Sequence, residues 1–447
     1  MAAQPEPLDI LASLLDMAKR GGADTADAVM VESAHIAVAQ RLGQREKLER
    51  AESRDVGLRV LIGRRQAIVS STDLAPAALR EAAERAVAMA KVAPEDPYCG
   101  LAEAGEIART APSLDICDPV EPTAETLVER AAAAEDAARA VKGVTNSEGA
   151  EASWQRSRIA LAATNGFAQG YATSGSSISV AVLAGEGTAM ERDYDFGSAV
   201  HAADLPDPAV IGRTAGSRAV RRLGARKMKT QQVPVVYEWR VAGGLLRHLT
   251  GAINGAAVAR GTSFLKDHMG KMLFAPGIRV VDDPLRKRGL RSKPFDAEGL
   301  PTRTRTLIED GRLTGWLLDL ASARKLGLAS TGSAARGTGS PPQPSATNVW
   351  LEPGTATPES LIADIASGFY VTELIGMGVN GVTGDYSRGA TGFWIENGQI
   401  AYPVSEMTVA GNLRDMFARL VPANDLLFRY GTDAPTVRID GMTVAGL

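Results

Sequence analysis

Apolar and polar positions in the first half of the chain follow clear helical and strand periods. Apolar residues recur at helical spacing from Leu8 to Ala18, and Gly21–Gly22 ends this helix. Between residues 56 and 69 they mostly alternate with polar or small residues about a turn at Gly63, as in a β-hairpin. The pattern then predicts a helix from Pro76 to Val92, a Pro- and Asp-rich connector over 93–121, a helix over 122–142 with Thr123 as N-cap, an antiparallel meander over 145–200 and a helix from Pro206 to Leu223.

The second half mixes helical and strand patterns and begins after a polar stretch at 226–232. We place a domain boundary there, between an N-terminal α+β domain (1–225) and a β-rich C-terminal domain (232–447). The pattern predicts, in order, a strand over 232–237, a helix over 239–258, a hairpin around Asp310-Gly311, a polar loop over 329–347 and further strands to the end. Because strands and helices do not alternate regularly, the fold class is α+β, with an antiparallel sheet and flanking helices in the second domain.

Composition narrows the function classes. The 447 residues are 45% apolar and 23% charged, with a formal net charge of −3, so nothing attracts nucleic acid or an anionic membrane overall. The start of the chain has no basic segment followed by an apolar core, and no later segment approaches a membrane span of about 18 apolar residues. We therefore expect a cytoplasmic protein whose two cysteines, Cys99 and Cys117, are reduced.

The histidines do not form a metal-binding pattern. The four of them lie at 35, 201, 248 and 268 without HExxH or HxH spacing, and the chain has no nucleophile elbow, Walker A loop or Rossmann fingerprint. Two polar loops are interpreted as structural. Residues 332–339 are read as a flexible linker rather than a phosphate cradle, and the basic cluster at 286–293 as a solvated loop.

A glycine-rich stretch at 380–396 carries the most distinctive polar set. Four glycines permit close backbone approach, so the stretch is read either as a shaped surface beside a cleft or as turns within a sheet. The candidate cavity or partner surface comprises Asn380, Thr383, Asp385, Tyr386, Ser387 and Arg388.

This stretch belongs to a longer match with a known family. The segments TELIGMGVNGVTGDYSRGATGFWIENG (372–398) and IAYPVSEMTVAGN (400–412) closely resemble the TldE (PmbA) branch of the TldD/PmbA family, and the resemblance extends over the whole chain through GLRV (57–60), TNVWLEPG (347–354) and RIDGMTVAG (438–446). The family consists of metalloproteases, also called peptidase family U62 and historically modulators of DNA gyrase.

The resemblance also identifies where this chain departs from the TldD branch. TldD-type chains carry an HExxxH helix and a metal-binding cysteine near the C-terminus. In this chain the matching helix reads EWRVAGGLLRHL (238–249), and alignment on Gly244 places Arg240 at the first histidine, Val241 at the glutamate and Leu245 at the second histidine. The segment 424–433 has no cysteine. A guanidinium and two aliphatic side chains bind no zinc, so the motif is degenerate.

The expected function is therefore that of a non-catalytic subunit in a TldD/TldE-type heterodimeric metalloprotease acting on unfolded or leader peptides. The resemblance implies that a TldD-like partner holds a zinc-type metal, that this chain binds none and that it is inactive alone; homodimers of the isolated chain are left open. Two alternatives remain. One is a self-sufficient hydrolase using Asp385, Ser387 and Arg388 or His268. The other is a modulator of DNA gyrase or of a toxin–antitoxin system.

Overall fold

The computed structural model describes residues 6–446; Met1 to Pro5 and Leu447 lie outside the described part. Its helices are α1 (Pro7–Arg20), α2 (Pro76–Val92), α3 (Ala124–Arg139), α4 (Pro208–Arg221), α5 (Trp239–Ala252), α6 (Gly255–Ala259), α7 (Leu320–Leu326), α8 (Pro358–Ile362) and α9 (Leu413–Ala418). The strands of the first half are β1 (Thr25–Arg41), β2 (Gln44–Ile62), β3 (Arg65–Ser71), β4 (Val144–Ala163), β5 (Ala168–Ala184) and β6 (Glu191–Ala199).

The strands of the second half are shorter on average. They are β7 (Gln231–Tyr237), β8 (Val280–Asp282), β9 (Arg305–Glu309), β10 (Arg312–Leu313), β11 (Ala334–Ala335), β12 (Gln343–Pro344), β13 (Val349–Leu351), β14 (Ser367–Ile375), β15 (Asp385–Glu396), β16 (Gln399–Asn412), β17 (Leu420–Pro422), β18 (Thr432–Asp433) and β19 (Val437–Ala445). Among residues 6–446, no helix combines the length and the apolar character needed to cross a bilayer.

The N-terminal sheet has the order β3-β2-β1-β4-β5-β6, and all its neighbouring strands are antiparallel. Ala28 and Met30 of β1 pack in the core under α1 and α2, while Ile36 and Val38 of the same strand pack under α3 and α4. These residues are an even number of positions apart, so both helix pairs cover one face of the sheet. The other face is left for the C-terminal half, which contacts it at Val29.

The main C-terminal sheet has the order β16-β15-β14-β7-β19-β17, and β16 also pairs with β19. This extra pairing joins β16, β15, β14, β7 and β19 into a closed ring of strands. Within the ring β14 runs parallel to β7, and the other pairs are antiparallel. A second sheet, β10-β9-β8-β13-β18, lies beside it. The largest apolar core of the described residues fills this half and includes Trp394 and Phe417.

These elements confirm the α+β class and most of the predicted segments, including α2 with its predicted ends and Thr123 as N-cap of α3, where its side chain accepts from Thr126 N. The single helix predicted over 239–258 is wrong. Helix α5 stops at Ala252, because Asn254 caps a separate helix α6 by accepting hydrogen bonds from Ala256 N and Ala257 N. Both cysteines are free, as predicted.

Two loop interpretations are also wrong. Residues 332–339 are not a flexible linker, because the Arg336 guanidinium forms a buried ion pair with Asp27 and the backbone at Thr338 crosses β2 at Gly57, where any Cβ atom would overlap the Thr338 carbonyl oxygen. The basic cluster 286–293 is not simply solvated. Lys287, Arg288 and Arg291 are exposed, but three of its five cations make specific contacts. Arg286 lies 3.6 Å from the ring centroid of Phe428, Arg288 pairs with Asp115 and Asp204, and Lys293 Nζ donates to Ala334 O.

Candidate functional site

Helix α5 follows β7 directly and carries the three positions at which the resemblance places metal-site residues. Val241 and Leu245 lie on its buried face and pack in the main C-terminal core, with 8% and 3% of their surface exposed. Side chains turned into an apolar core have no access to a substrate or a metal-bound water. These two positions are therefore structural in this chain.

Arg240 lies at the junction between the two halves of the molecule. Its side chain is 3% exposed; Nε donates to Glu238 Oε1 at 2.8 Å and Nη1 donates to Asp193 Oδ1 of β6 at 2.9 Å. Burial opposes the charge, but the carboxylates of Glu238 and Asp193 outweigh it and raise the pKa of Arg240. The guanidinium is a permanent cation that ties α5 to the N-terminal sheet.

Two neighbouring arginines extend this junction. Arg218 Nη1 of α4 donates to Asp195 Oδ1 at 2.8 Å, and Arg222 Nη1 donates to Glu373 Oε2 of β14 at 2.6 Å. Both guanidiniums also approach the partners of Arg240, because Arg218 lies 3.9 Å from Glu238 and Arg222 lies 3.8 Å from Asp193. The result is a buried network of alternating charge across the junction.

The residues around α5 do not fit a catalytic metal. Within 6–446, no group of three or more His, Cys, Asp or Glu side chains is arranged to hold one. His248, two turns beyond Arg240, packs edge-on against the Tyr386 ring with centroids 5.9 Å apart. Burial, followed by the charges of Arg388 and Arg247, lowers the pKa of His248 to about 4. Its imidazole is therefore neutral at pH 7, but it has two cations rather than further ligands as neighbours.

This histidine makes the stability of the protein pH-dependent. The unfolded chain takes up the His248 proton near pH 6.5 and the folded chain only near pH 4, so the stabilising contribution is complete above pH 6.5 and is lost as the pH falls toward 4. Between pH 7 and pH 4.5, His248→Gln should therefore lose about 2 kcal/mol less unfolding free energy than the wild type. Urea titrations of both proteins at each pH measure these losses. An equal loss of unfolding free energy in the variant and the wild type would contradict the expectation.

A groove of about 390 Å³ runs between the exposed side of α5 and the loop 376–384. Its lining includes the cationic Arg247 and the neutral His248 from α5, and the apolar Met377 and Val379 from the loop. The loop also exposes apolar side chains: Met377 and Val382 are 91% and 57% exposed, and Ile375, the last residue of β14 immediately before the loop, is 57% exposed. Exposed apolar side chains clustered on one loop indicate a contact surface.

The glycine-rich stretch contributes to both the sheet and this groove. Residues 385–396 form β15, which lies between β14 and β16, and Tyr386 is buried there. Arg388 lines the groove and its Nε donates to Ile375 O at 3.3 Å. Ser387 is exposed. Within this one strand, Tyr386 is therefore buried in the sheet, whereas Ser387 is exposed and Arg388 borders the groove.

The other three candidate residues hold the turn before β15. The Asn380 side-chain oxygen accepts from Val382 N at 2.9 Å, while Asp385 accepts from Thr383 Oγ1 at 2.6 Å and from Asn412 Nδ2 at 3.2 Å. The hydrogen bonds of the Asp385 carboxylate therefore go to the turn and to β16, and not to Ser387 or His268. The geometry brings together no ordered nucleophile, base and orienting group from these residues.

Sequence reasoning missed the most exposed part of this surface and the partners of Arg240. The apolar loop had a visible signal, since Ile375, Met377 and Val379 alternate with glycines and cannot all be buried in so short a segment. No sequence signal identifies Asp193 as a partner of Arg240, because the two residues are 47 positions apart in the chain and come into contact only in the folded protein.

Comparison with known proteins gives a consistent result along the chain. Residues 230–446 match the family model of the PmbA/TldA metallopeptidase C-terminal domain, 117–223 that of the central domain and 26–90 that of domain 1. Metalloprotease PmbA of Escherichia coli O157:H7 is 38% identical over 441 residues, which are 98% of this chain and 96% of that protein.

Solved structures share the fold. A Bacteroides thetaiotaomicron protein described as a modulator of DNA gyrase superposes with a TM-score of 0.91 at 24% identity, covering 99% of this chain and all of that one. TldE from Thermococcus kodakarensis gives a TM-score of 0.86 at 21% identity, with 97% and 99% covered. The chain belongs to the PmbA/TldD family of metallopeptidases, on its PmbA and TldE branch.

Proposed function

We propose that this chain is the non-catalytic subunit of a heterodimeric metalloprotease whose TldD-like partner holds a zinc-type metal and cleaves unfolded or leader peptides in the cytoplasm. One observation carries the proposal: the helix positions matched to the family's metal motif are occupied by Arg240, Val241 and Leu245. The Arg240 guanidinium is paired with two carboxylates, and the other two side chains lie in the core. A guanidinium and two aliphatic side chains supply no lone pair to a metal and no base for its water.

The partner surface is proposed to be the loop 376–384 with the adjoining groove. Its exposed apolar side chains are suited to burial against another protein, and Arg247 and Arg388 at the groove offer positive charge to an acidic partner segment or to the backbone carbonyls of an extended peptide. The groove is shallow and open at the surface of this chain, so a second subunit seated on the loop would enclose it as part of a chamber.

A reconstitution experiment tests the proposal. The purified chain alone should hold less than a stoichiometric amount of metal and should not cleave an unfolded peptide, whereas mixing it with a TldD homologue should yield a complex by size-exclusion chromatography and chelator-sensitive cleavage. Met377→Asp should weaken the complex at least tenfold, about 1.4 kcal/mol or more, because it buries a charge in an apolar contact.

The matched control is Val92→Asp. Val92 is 83% exposed at the end of α2, on a different part of the molecule, so this variant should bind the TldD homologue as the wild type does. Chelator-sensitive peptidase activity of the chain without a partner would refute the non-catalytic role. Equal weakening by both substitutions would refute the assignment of the surface.

A further inference from the structure

A second cavity, of about 140 Å³, lies between the two halves of the molecule and shares no lining residue with the groove beside α5. One wall is the face of β1, β4 and β5 that is not covered by helices; the other is formed by residues 293–297 and 334–336. The walls are largely apolar, through Val29, Val31, Ile159, Leu161, Tyr171 and Phe295. The charged groups of the lining, Lys293, Asp296 and Arg336, all come from the C-terminal half.

Arg336 is the distinctive group in this cavity. Its side chain is 1% exposed, and Nη1 forms an ion pair with Asp27 Oδ1. Nε and Nη2 are buried and have no hydrogen-bond acceptor among the described residues. These two N–H groups lie on one edge of the planar guanidinium, the edge that matches the two oxygens of a carboxylate.

The carboxylate beside Arg336 does not satisfy the whole guanidinium. The Asp27 carboxylate is shared between Arg336 and Arg59, whose Nε donates to Asp27 Oδ2 at 2.9 Å, so two guanidiniums have one carboxylate between them. Lys293 adds a further amino group to the lining, and its Nζ donates to Ala334 O at 2.7 Å. The buried carboxylates of Asp282, Asp296 and Glu298 offset the charges of Lys293 and Arg59, but none of the three hydrogen-bonds to Arg336. The two unpaired N–H groups of Arg336 therefore still lack an anionic acceptor.

The remaining carboxylate of the lining does not supply that anion. Asp296 Oδ1 accepts hydrogen bonds from Glu298 N and Leu300 N, and its Oδ2 accepts one from Ala334 N, so both oxygens are directed at backbone amides. No ion pair joins Asp296 to Arg336 among the described residues. The unsatisfied edge of Arg336 therefore requires an acceptor from outside the chain.

We propose that this cavity binds a small apolar monocarboxylate, with its two oxygens on Arg336 Nε and Nη2 and its hydrocarbon part against the uncovered face of β1 and β4. The size fits an acid with a short branched chain, because an apolar cavity of about 150 Å³ accommodates benzene alone and leaves no room for a carboxylate beside an aromatic ring. The same chemistry is presented by a free acid and by the C-terminal residue of a peptide. The inference is independent of the proposed partnership and of its metal.

Isothermal titration of the full chain with 3-methylbutanoate tests it. We expect one site with a dissociation constant of about 1 mM or below, and at least tenfold weaker binding of 3-methylbutanamide, which has the same shape but lacks the charge. N-acetylvaline distinguishes the sources: tighter binding than 3-methylbutanoate indicates a peptide end, weaker binding a free acid. Equal affinity for the acid and the amide, or no heat from either, would overturn the proposal and leave ordered water as the partner of Arg336.

Two variants separate the pocket from the stability of the fold. Val31→Phe fills the cavity from the sheet side without touching the pair of Arg336 and Asp27, and should abolish 3-methylbutanoate binding, whereas Val92→Phe on the exposed end of α2 should not. Arg336→Lys keeps the charge beside Asp27 but loses the planar edge whose two parallel N–H groups match a carboxylate, and should weaken binding at least tenfold. Unchanged affinity in folded Val31→Phe would contradict the site even if Arg336→Lys failed to fold.

Discussion

Arg240→Ala is expected to destabilise the protein by about 3 kcal/mol, as the loss of one partner from a buried ion pair does. The substitution leaves the carboxylates of Asp193 and Glu238 buried without their closest cation. Arg218 and Arg222 lie within 4 Å of these carboxylates and compensate in part, which keeps the loss at the lower end of the range for buried pairs. Urea unfolding at pH 7 measures it.

The double variant Arg240→Ala/Asp193→Asn identifies the cause. If the uncompensated charge of Asp193 is responsible, removing that charge restores part of the lost stability, whereas a pure packing defect would be deepened. Arg279→Ala is the control at the surface. Arg279 also pairs with two carboxylates, Glu309 and Glu352, but its side chain is 42% exposed against 3% for Arg240, so its removal should leave the unfolding midpoint nearly unchanged. Equal losses in both arginine variants would contradict the expectation.

Gly392→Ala should cost roughly 3 kcal/mol, because the added methyl group would overlap the carbonyl oxygen of Tyr370 on the neighbouring strand β14. The obstacle is backbone in the middle of a sheet, so no side-chain rotation relieves the overlap. Thermal and urea unfolding measure the loss, and the expected direction is the same in both.

Gly381→Ala is the matched control within the same glycine-rich stretch. No heavy atom lies within 4 Å of the position its Cβ would take, so stability should change by less than about 0.5 kcal/mol. A neutral Gly392→Ala would show that β14 and β15 can separate without cost and would refute the close packing assigned to this strand.

The sequence pattern alone predicts those elements that are determined by residues within the element itself. Helix α2 matches its predicted bounds because its apolar face and the proline at its first turn are all contained in the segment. The outer half of β2 shows the limit of this reasoning: residues 44–54 are exposed on both faces, so the period of two that reveals a strand is absent there. Its strand conformation comes from pairing with β1.

The residues of the candidate site likewise include some that can be located from the sequence and others that only the fold brings together. The resemblance matches Arg240, Val241 and Leu245 to positions of the family's metal motif, but the buried charge network around Arg240 depends on contacts between distant segments and cannot be predicted from local sequence. The same holds for Arg336, whose partner Asp27 is 309 residues away. A polar loop that folds back onto a sheet has the composition of a linker, so composition alone misjudged it.

The closed ring of strands also sets the order in which the C-terminal half can be completed during translation. Strand β7 ends at Tyr237, and its neighbour β19 begins at Val437, 200 residues later. At about 5–20 residues per second, the ribosome needs roughly 10–40 s to produce the strand that covers this edge. The β7 edge that will pair with β19 stays unpaired for that time, while the N-terminal sheet already has all its strands. Strand β16 ends at Asn412, so its free edge waits only for the 25 residues up to Val437. The nascent chain therefore passes through a state in which its longest-range strand pairing is the last to form, and this interval is when it most needs protection from pairing with other chains.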